Sequence, residues 1–320
     1  MNTNTSPKIS IVVPIYNEAE IVNQFHQDLK TALNGLSNPS NIFYIDDGSS
    51  DSTPEILADL AKNDRSVHVI TLSRNFGHQA ALSCGIESAD GDAIITMDGD
   101  GQNPPELIPE MVQLFQSGYD IVICQRKQDQ NQSFFKRITS LGFYKLINTI
   151  GNQKTIPNAA DFRLLSKRAA QALSSMPEYH RFLRGMIGWI GFKSTILQFD
   201  PLPRIGGESK YTVKKMLNLA NDAIFSFSLF PLRFGLITGG LFYFLALVEI
   251  IYILYLWFSG NTSQLEPGWS SLMFMILIVG GTLTTVVSFI GIYIGYIFQE
   301  VKNRPVYIIK DKNYPPSDEG

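Results

Sequence analysis

Residues 93–106 read AIITMDGDGQNPPE, and the fold turns on what this stretch is for. A short apolar run of strand character ends on two acids, Asp98 and Asp100, each followed by a glycine. Either this is an ordinary solvated turn, or the carboxylates are aimed at a ligand beyond the strand's end. The flanking sequence decides. Lys8–Pro14, Ile42–Asp46, Val67–Leu72, Asp92–Met97 and Asp120–Cys124 are short and rich in Ile and Val, as strands are. Helical stretches fall between them, near 21–36, 53–63, 77–89 and 106–116. Strands alternating with helices at this spacing predict a mostly parallel sheet covered on both faces.

Ligands on such sheets bind beyond the carboxyl ends of the strands. The residues placed there are Tyr16, Asn17 and Glu18, then Asp46, Asp47, Gly48 and Ser49, then Arg74 and Asn75, then Asp98 and Asp100, then Arg126. Each has a plain explanation alone. DDGSSD makes a turn and a helix cap through Ser50 or Ser52. Glu18 complements a helix dipole. Gathered on one rim, the set points to a site.

Familiar alternatives fail on motif. After the first strand comes PIYNEAE, without the GxGxxG of a dinucleotide site, and no GxxxxGK[ST] loop occurs. Neither HExxH nor paired CxxC is present, which argues against zinc. A net charge of −3 with no long run of one sign excludes a nucleic-acid partner. Cys84 and Cys124 read as buried small hydrophobes in a reduced compartment. The opening MNTNTSPK has no apolar core, so no secretory signal is expected.

The C-terminal third differs in composition. Phe234–Phe258 carries one charge, Glu249, and Ser271–Phe298 carries none. Each exceeds the roughly 20 residues that cross a bilayer as a helix. The connector at 259–270 holds no Lys or Arg, whereas Lys214, Lys215 and Arg233 precede the first run and Lys302, Arg304, Lys310 and Lys312 follow the second. The positive-inside rule then predicts a two-span, multi-pass membrane protein with the N-terminal α/β domain and both termini cytoplasmic. GxxxG pairs at Gly235/Gly239 and Gly291/Gly295 suit close helix packing, within the hairpin or in a homo-oligomer. HRFLRGMIGWIGF (180–192) and Tyr211–Phe230 read as interfacial helices, the former alternatively as a core helix edged by arginine. The expected boundaries are 1–210 for the catalytic domain, 211–230 for the juxtamembrane helix, 231–300 for the hairpin and 301–320 for a tail.

VVPIYNE, YIDDGSSDST and MDGDGQNPPE in this order resemble the family-2 inverting glycosyltransferases with a GT-A fold. ADFRLLSKRA (160–169), RFLRGMIGWIGF (181–192), PRIGGESKYT (203–212) and the two apolar runs narrow the resemblance to polyprenyl-phosphate glycosyltransferases: bactoprenol glucosyltransferases and dolichol-phosphate mannose synthases. It covers nearly the whole chain. It implies transfer of a hexose from a nucleotide-sugar to polyprenyl phosphate with inversion, UDP-glucose and undecaprenyl phosphate first, GDP-mannose with a dolichol-type acceptor next. Aminoarabinose-type donors stay open.

The resemblance also implies roles. Asp98, Asp100 and Gln102 would hold Mg2+ or Mn2+ against the donor's diphosphate, with Asp100 the direct ligand. Asp98 would contact metal or ribose. Pro14, Tyr16, Glu18, Asp46 and Asp47 would line the nucleoside pocket. Arg126, Arg137, Ser140, Arg204 and Lys210 would meet the phosphates, Arg204 and Lys210 from a glycine-rich loop. Arg137 fits a solvent-facing helix position equally well. Asp161 stands where the family places its catalytic base, yet a phosphate monoester is already largely dianionic at neutral pH. Asp161 then positions the acceptor or a cation, or simply pairs with Arg163 or a nearby lysine. Two rivals remain: a processive polysaccharide synthase, which would carry QxxRW and more spans, and a non-catalytic nucleotide-binding membrane scaffold.

Overall fold

A computed structural model describes residues 6–127, 156, 159–179, 181–202 and 268–314, together with isolated positions between 244 and 260. The chain divides into two units, one comprising 1–212 with 305–320 and the other 213–304.

The first unit is built on an eight-stranded sheet in the order β7-β5-β6-β4-β1-β2-β3-β8. Its strands are β1 (Ile9–Ile15), β2 (Ser40–Asp46), β3 (Val67–Leu72), β4 (Ala93–Thr96), β5 (Ile121–Arg126), β6 (Ala159–Ser166), β7 (Ser194–Phe199) and β8 (Ile309–Asn313). Its helices are α1 (Val22–Asn34), α2 (Thr53–Asn63), α3 (His78–Ser88), α4 (Ile108–Gln116), α5 (Lys167–Ser174) and α6 (Leu183–Trp189). All seven residues of β1 are buried because helices cover both faces. Ile9, Ile11, Val13 and Ile15 alternate onto one face, against Phe25, Leu29 and Leu33 of α1 and Ile108 and Met111 of α4. Each such side chain stabilises by about 1.5–3 kcal/mol. On the other face α3 lies against β1 and β2, so close that a Cβ on Gly85 would stand 2.1 Å from Val12.

Parallel pairing joins β4, β1, β2 and β3, so their carboxyl ends share one rim. Pro14 has no N–H, and it falls where β4 has stopped pairing with β1, whose register with β4 ends at Val12. β6 runs antiparallel to both β4 and β5, with Arg163 opposite Thr96 and Ile123. Its beginning, not its end, therefore reaches that rim, and this reversal delivers Asp161 there.

The stretch 301–320, expected as a tail, contains β8, which pairs antiparallel with β3 at the sheet's edge. Its residues IKDKN are mostly exposed. Charged side chains are what an edge strand carries to discourage further pairing, and they hid this strand from a hydrophobic pattern.

In the second unit, α7 (Trp269–Val301) contains the expected second apolar run. Its segment Ile278–Val301 is long and apolar enough to cross a membrane. Leu283, Val287, Ile294 and Ile297 are exposed along it. Most of the first expected span, the Gly235/Gly239 pair, Glu249 and the helix expected at 211–230 lie outside the described residues.

Candidate active site

The rim is assembled from loops that bind one another. Asn17 takes a left-handed φ of 52°. Its N–H donates to Ser49 Oγ at 2.9 Å and its side-chain oxygen accepts from Ser50 N at 2.8 Å. Glu18 N donates to Thr53 Oγ1 at 3.0 Å. The turn after β1 is thus sewn to the turn after β2. Tyr16 is 38% exposed beside it.

Asp46 and Asp47 are both buried but differently employed. Asp46 accepts from Ser49 N at 2.9 Å, while its other oxygen is buried without a hydrogen bond. Leaving a buried acceptor unpaired costs about 1–3 kcal/mol, which a donor on a ligand would recover. Asp47 spends both oxygens on backbone, accepting from Phe76 N at 2.8 Å and Gly77 N at 2.9 Å. Burial pushes its pKa up, against the pull of those two bonds. Through these bonds it holds the loop Arg74–Gly77. Gly48 completes that joint. Its φ is +71°, and an added Cβ would lie 2.4 Å from the Arg74 carbonyl carbon. Gly48→Ala should therefore destabilise the domain by at least about 2 kcal/mol. Thermal unfolding should register this as a fall of roughly 4–8 °C.

Gly99 lets the acidic turn close onto β1, since a Cβ there would stand 2.3 Å from Ile15 Cδ1. Asp100 Oδ1 accepts from Gln102 N at 3.1 Å. Asp98 turns toward the start of α3, where His78 Nε2 lies 3.3 Å from its Oδ1. The same nitrogen stands 3.5 Å from Asp161 Oδ2. Asp98 and Asp161 thus converge, with His78 between them. Burial raises the pKa of Asp98, His78 opposes this, and the charges of Asp161 and Asp100 add to it. Burial also disfavours the charged form of His78, but Asp161 and Asp98 outweigh it and its pKa is raised.

Asp161 is almost wholly enclosed. Arg163 Nη2 donates to its Oδ1 at 2.5 Å. Arg184 donates to both oxygens, Nε at 3.2 Å and Nη2 at 2.9 Å. Burial would raise its pKa, but Arg184, Arg163 and His78 together hold it well below the usual carboxylate range. A carboxylate so stabilised in its charged form is a poor proton acceptor. The pairing with Arg163 is therefore real, and it is joined by a second arginine that is 30% exposed at the rim.

In α6, Leu183, Met186 and Ile187 are buried and Arg184 faces Asp161, as in a core helix edged by arginine, while Trp189 is 66% exposed. Arg126 ends β5 one residue past the Gln125–Ala159 pairing, beside the start of β6, and its Nε is buried without a partner. Arg137, Ser140, Arg204 and Lys210 lie outside the described residues. His78 escaped the sequence reading, its only signal being a histidine after glycine at the head of the helix following β3.

Among the described residues no three His, Cys, Asp or Glu side chains cluster as a complete metal site. What is present is an all-oxygen pair in which Asp98 is crowded by negative charge. That suits a hard dication which takes its remaining ligands from substrate phosphates and water.

The model described as Glycosyl transferase family 2 matches residues 10–174. An uncharacterized glycosyltransferase of Synechocystis sp. is 38% identical over 305 residues, covering 95% of each chain. A prophage bactoprenol glucosyl transferase homolog of Escherichia coli is 37% identical over 306 residues, covering 95% of this chain and 98% of the relative. The bactoprenol glucosyl transferase of Shigella phage SfV is 36% identical, with coverage of 95% and 99%. Among solved structures, mannosyl-3-phosphoglycerate synthase from Rubrobacter xylanophilus superposes with a TM-score of 0.50 at 13% identity, covering 68% of this chain and 72% of that one, a likeness of fold.

Proposed function

The chain belongs to glycosyl transferase family 2, and from that premise we propose that it transfers glucose from UDP-glucose to undecaprenyl phosphate at the cytoplasmic membrane face, inverting the anomeric carbon. One observation supports the reading: the strand-end acid Asp98 and the Asp161–Arg184 pair meet at His78 on a single rim. Relatives named bactoprenol glucosyl transferase match it over nearly their full length. The apolar segment Ile278–Val301 supplies an anchor for work on a lipid.

Asp98 and Asp100, with Gln102 beside them, would hold Mg2+ or Mn2+. A dication bound there offsets the charge of the departing nucleotide diphosphate. Asp46, with its spare acceptor, and Tyr16 belong to the nucleoside side. On the acceptor side, Arg184 offers a guanidinium whose planar fork suits phosphate. Asp161 orients that guanidinium through two hydrogen bonds. The acceptor phosphate, with a second pKa near 6, arrives already charged and attacks without a protein base.

The test is direct. Full-length purified protein is given UDP-glucose or GDP-mannose with undecaprenyl phosphate, and the lipid product is identified by mass spectrometry. Glucosyl-phosphoryl-undecaprenol is expected from UDP-glucose, with a loss of more than about 100-fold on chelation and recovery with Mn2+ or Mg2+. A mannosylated lipid, polymer formed without lipid phosphate, or donor binding without transfer would each overturn this reading.

A further inference from the structure

Arg184 reaches the rim, but the segment that carries it is fixed elsewhere. Arg181, 11% exposed, turns to the far end of α3. There its Nη1 donates to Glu87 Oε1, and its Nη2 lies 3.5 Å from Met176 O. The other Glu87 oxygen accepts from the Tyr307 hydroxyl at 2.5 Å. Tyr307 belongs to the stretch between α7 and β8. The next residue, Ile308, accepts through its carbonyl from Ser73 N at 2.9 Å, immediately before the Arg74–Gly77 loop. At the near end of α3, Leu183 N donates to Gln79 Oε1 at 3.2 Å, and His78 faces Asp98 and Asp161. The helix α3 is thus a splint. Residues 181–184 are tied to both its ends, and the post-α7 stretch grips its last turn.

We propose that Tyr307, Glu87 and Arg181 form an acceptor-side positioning network, through which the chain returning from α7 sets where α6 holds Arg184 over Asp161. This rests on the reading of Arg184 as the acceptor's phosphate partner. The physical basis is the division of one carboxylate between two donors. Arg181 is nearly buried, and Glu87 is the carboxylate that balances its charge. Tyr307 occupies the second oxygen and so fixes the carboxylate's rotation. Burial and the neighbouring carboxylate push the Tyr307 pKa upward, which keeps its hydroxyl a donor. Without that hydroxyl Arg181 keeps its partner but the carboxylate is no longer held in one rotation, and the segment leading into α6 loses one of the ties that seat it. The donor side is held by separate bonds, from Asn17 and Glu18 to Ser49 and Thr53, so it should not feel the change.

Tyr307→Phe in the full-length protein removes only the hydroxyl. Hydrogen–deuterium exchange should show faster exchange over residues 183–190, with β1, β2 and β4 unchanged. The KM for undecaprenyl phosphate should rise roughly fivefold, the lower range for coupled sites. The dissociation constant for UDP-glucose should stay within about twofold. Unchanged exchange at 183–190 overturns the proposal, and so does a donor affinity that weakens in step with the acceptor KM. If wild-type protein moves no sugar to lipid, the functional reading falls, and exchange still decides whether Tyr307 governs α6.

Discussion

Asp100→Asn should reduce formation of lipid-linked hexose by about 10²–10³-fold while leaving the fold in place. The substitution is nearly isosteric. An asparagine carbonyl can still accept from Gln102 N, the bond that Asp100 Oδ1 makes at 3.1 Å. What disappears is one negative charge and one good oxygen ligand. Asp98 cannot compensate, because burial disfavours its charged form and His78 already stands against its Oδ1. Thermal unfolding should be close to wild type, since the side chain is only partly buried. Initial rates at saturating Mn2+ decide the matter. A variant within tenfold of wild type would remove Asp100 from the metal site. Asp98→Asn is the less clean experiment, because it also disturbs the contact with His78.

Asp161→Asn should be as damaging to turnover, for a different reason. Arg163 is 3% exposed and Arg184 is held by two bonds, so removing the charge strands one buried guanidinium and releases another. Breaking a buried pair costs about 3–5 kcal/mol, so the unfolding temperature should drop by about 6–20 °C. Transfer should fall at least about 100-fold while UDP-glucose still binds, because the residues proposed for the donor lie on other loops. The pH profile separates orientation from proton removal. The folded pKa of Asp161 is depressed, so its stabilising charge is present above the ordinary carboxylate range and is lost only as pH falls through the lower folded value. Between pH 5 and 9 it stays ionised. Wild-type kcat should then rise only through about pH 6, as the acceptor phosphate takes its second charge, and level off. The variant should keep that shape on a lower plateau. Near-normal turnover in the variant, or a wild-type profile governed by a base near pH 7, would count against the positioning role.

How much of this was legible beforehand depended on which force set each element. β1 through β5 announced themselves because burial on both faces demands unbroken Ile and Val. Asp98 and Asp100 could be found because acids directly after such a run are conspicuous. The ADFRLL block was noticed only as part of the resemblance and β6 was not anticipated as a strand, since antiparallel pairing with β4 is a property of the whole sheet. That direction is what puts Asp161 on the rim. Asp47 was expected at the nucleoside on the resemblance alone, and DD after a strand gives no sign of which acid the backbone will also engage. His78 looks like any helix-opening residue until α3 is set beside β4. β8 was unreadable because its charged side chains face solvent at an edge.

That last strand has a consequence for biosynthesis. Residues 213–304 separate β7 from β8, so the sheet's edge partner leaves the ribosome only after the entire apolar stretch has been made. A nascent chain halted anywhere before Ile309 would leave β3 with an open flank and Ser73 without its carbonyl acceptor. Completion of the sheet is thereby delayed until the whole apolar stretch has been made, and a chain stopped ahead of β8 should be an unsealed product exposed to quality-control proteases.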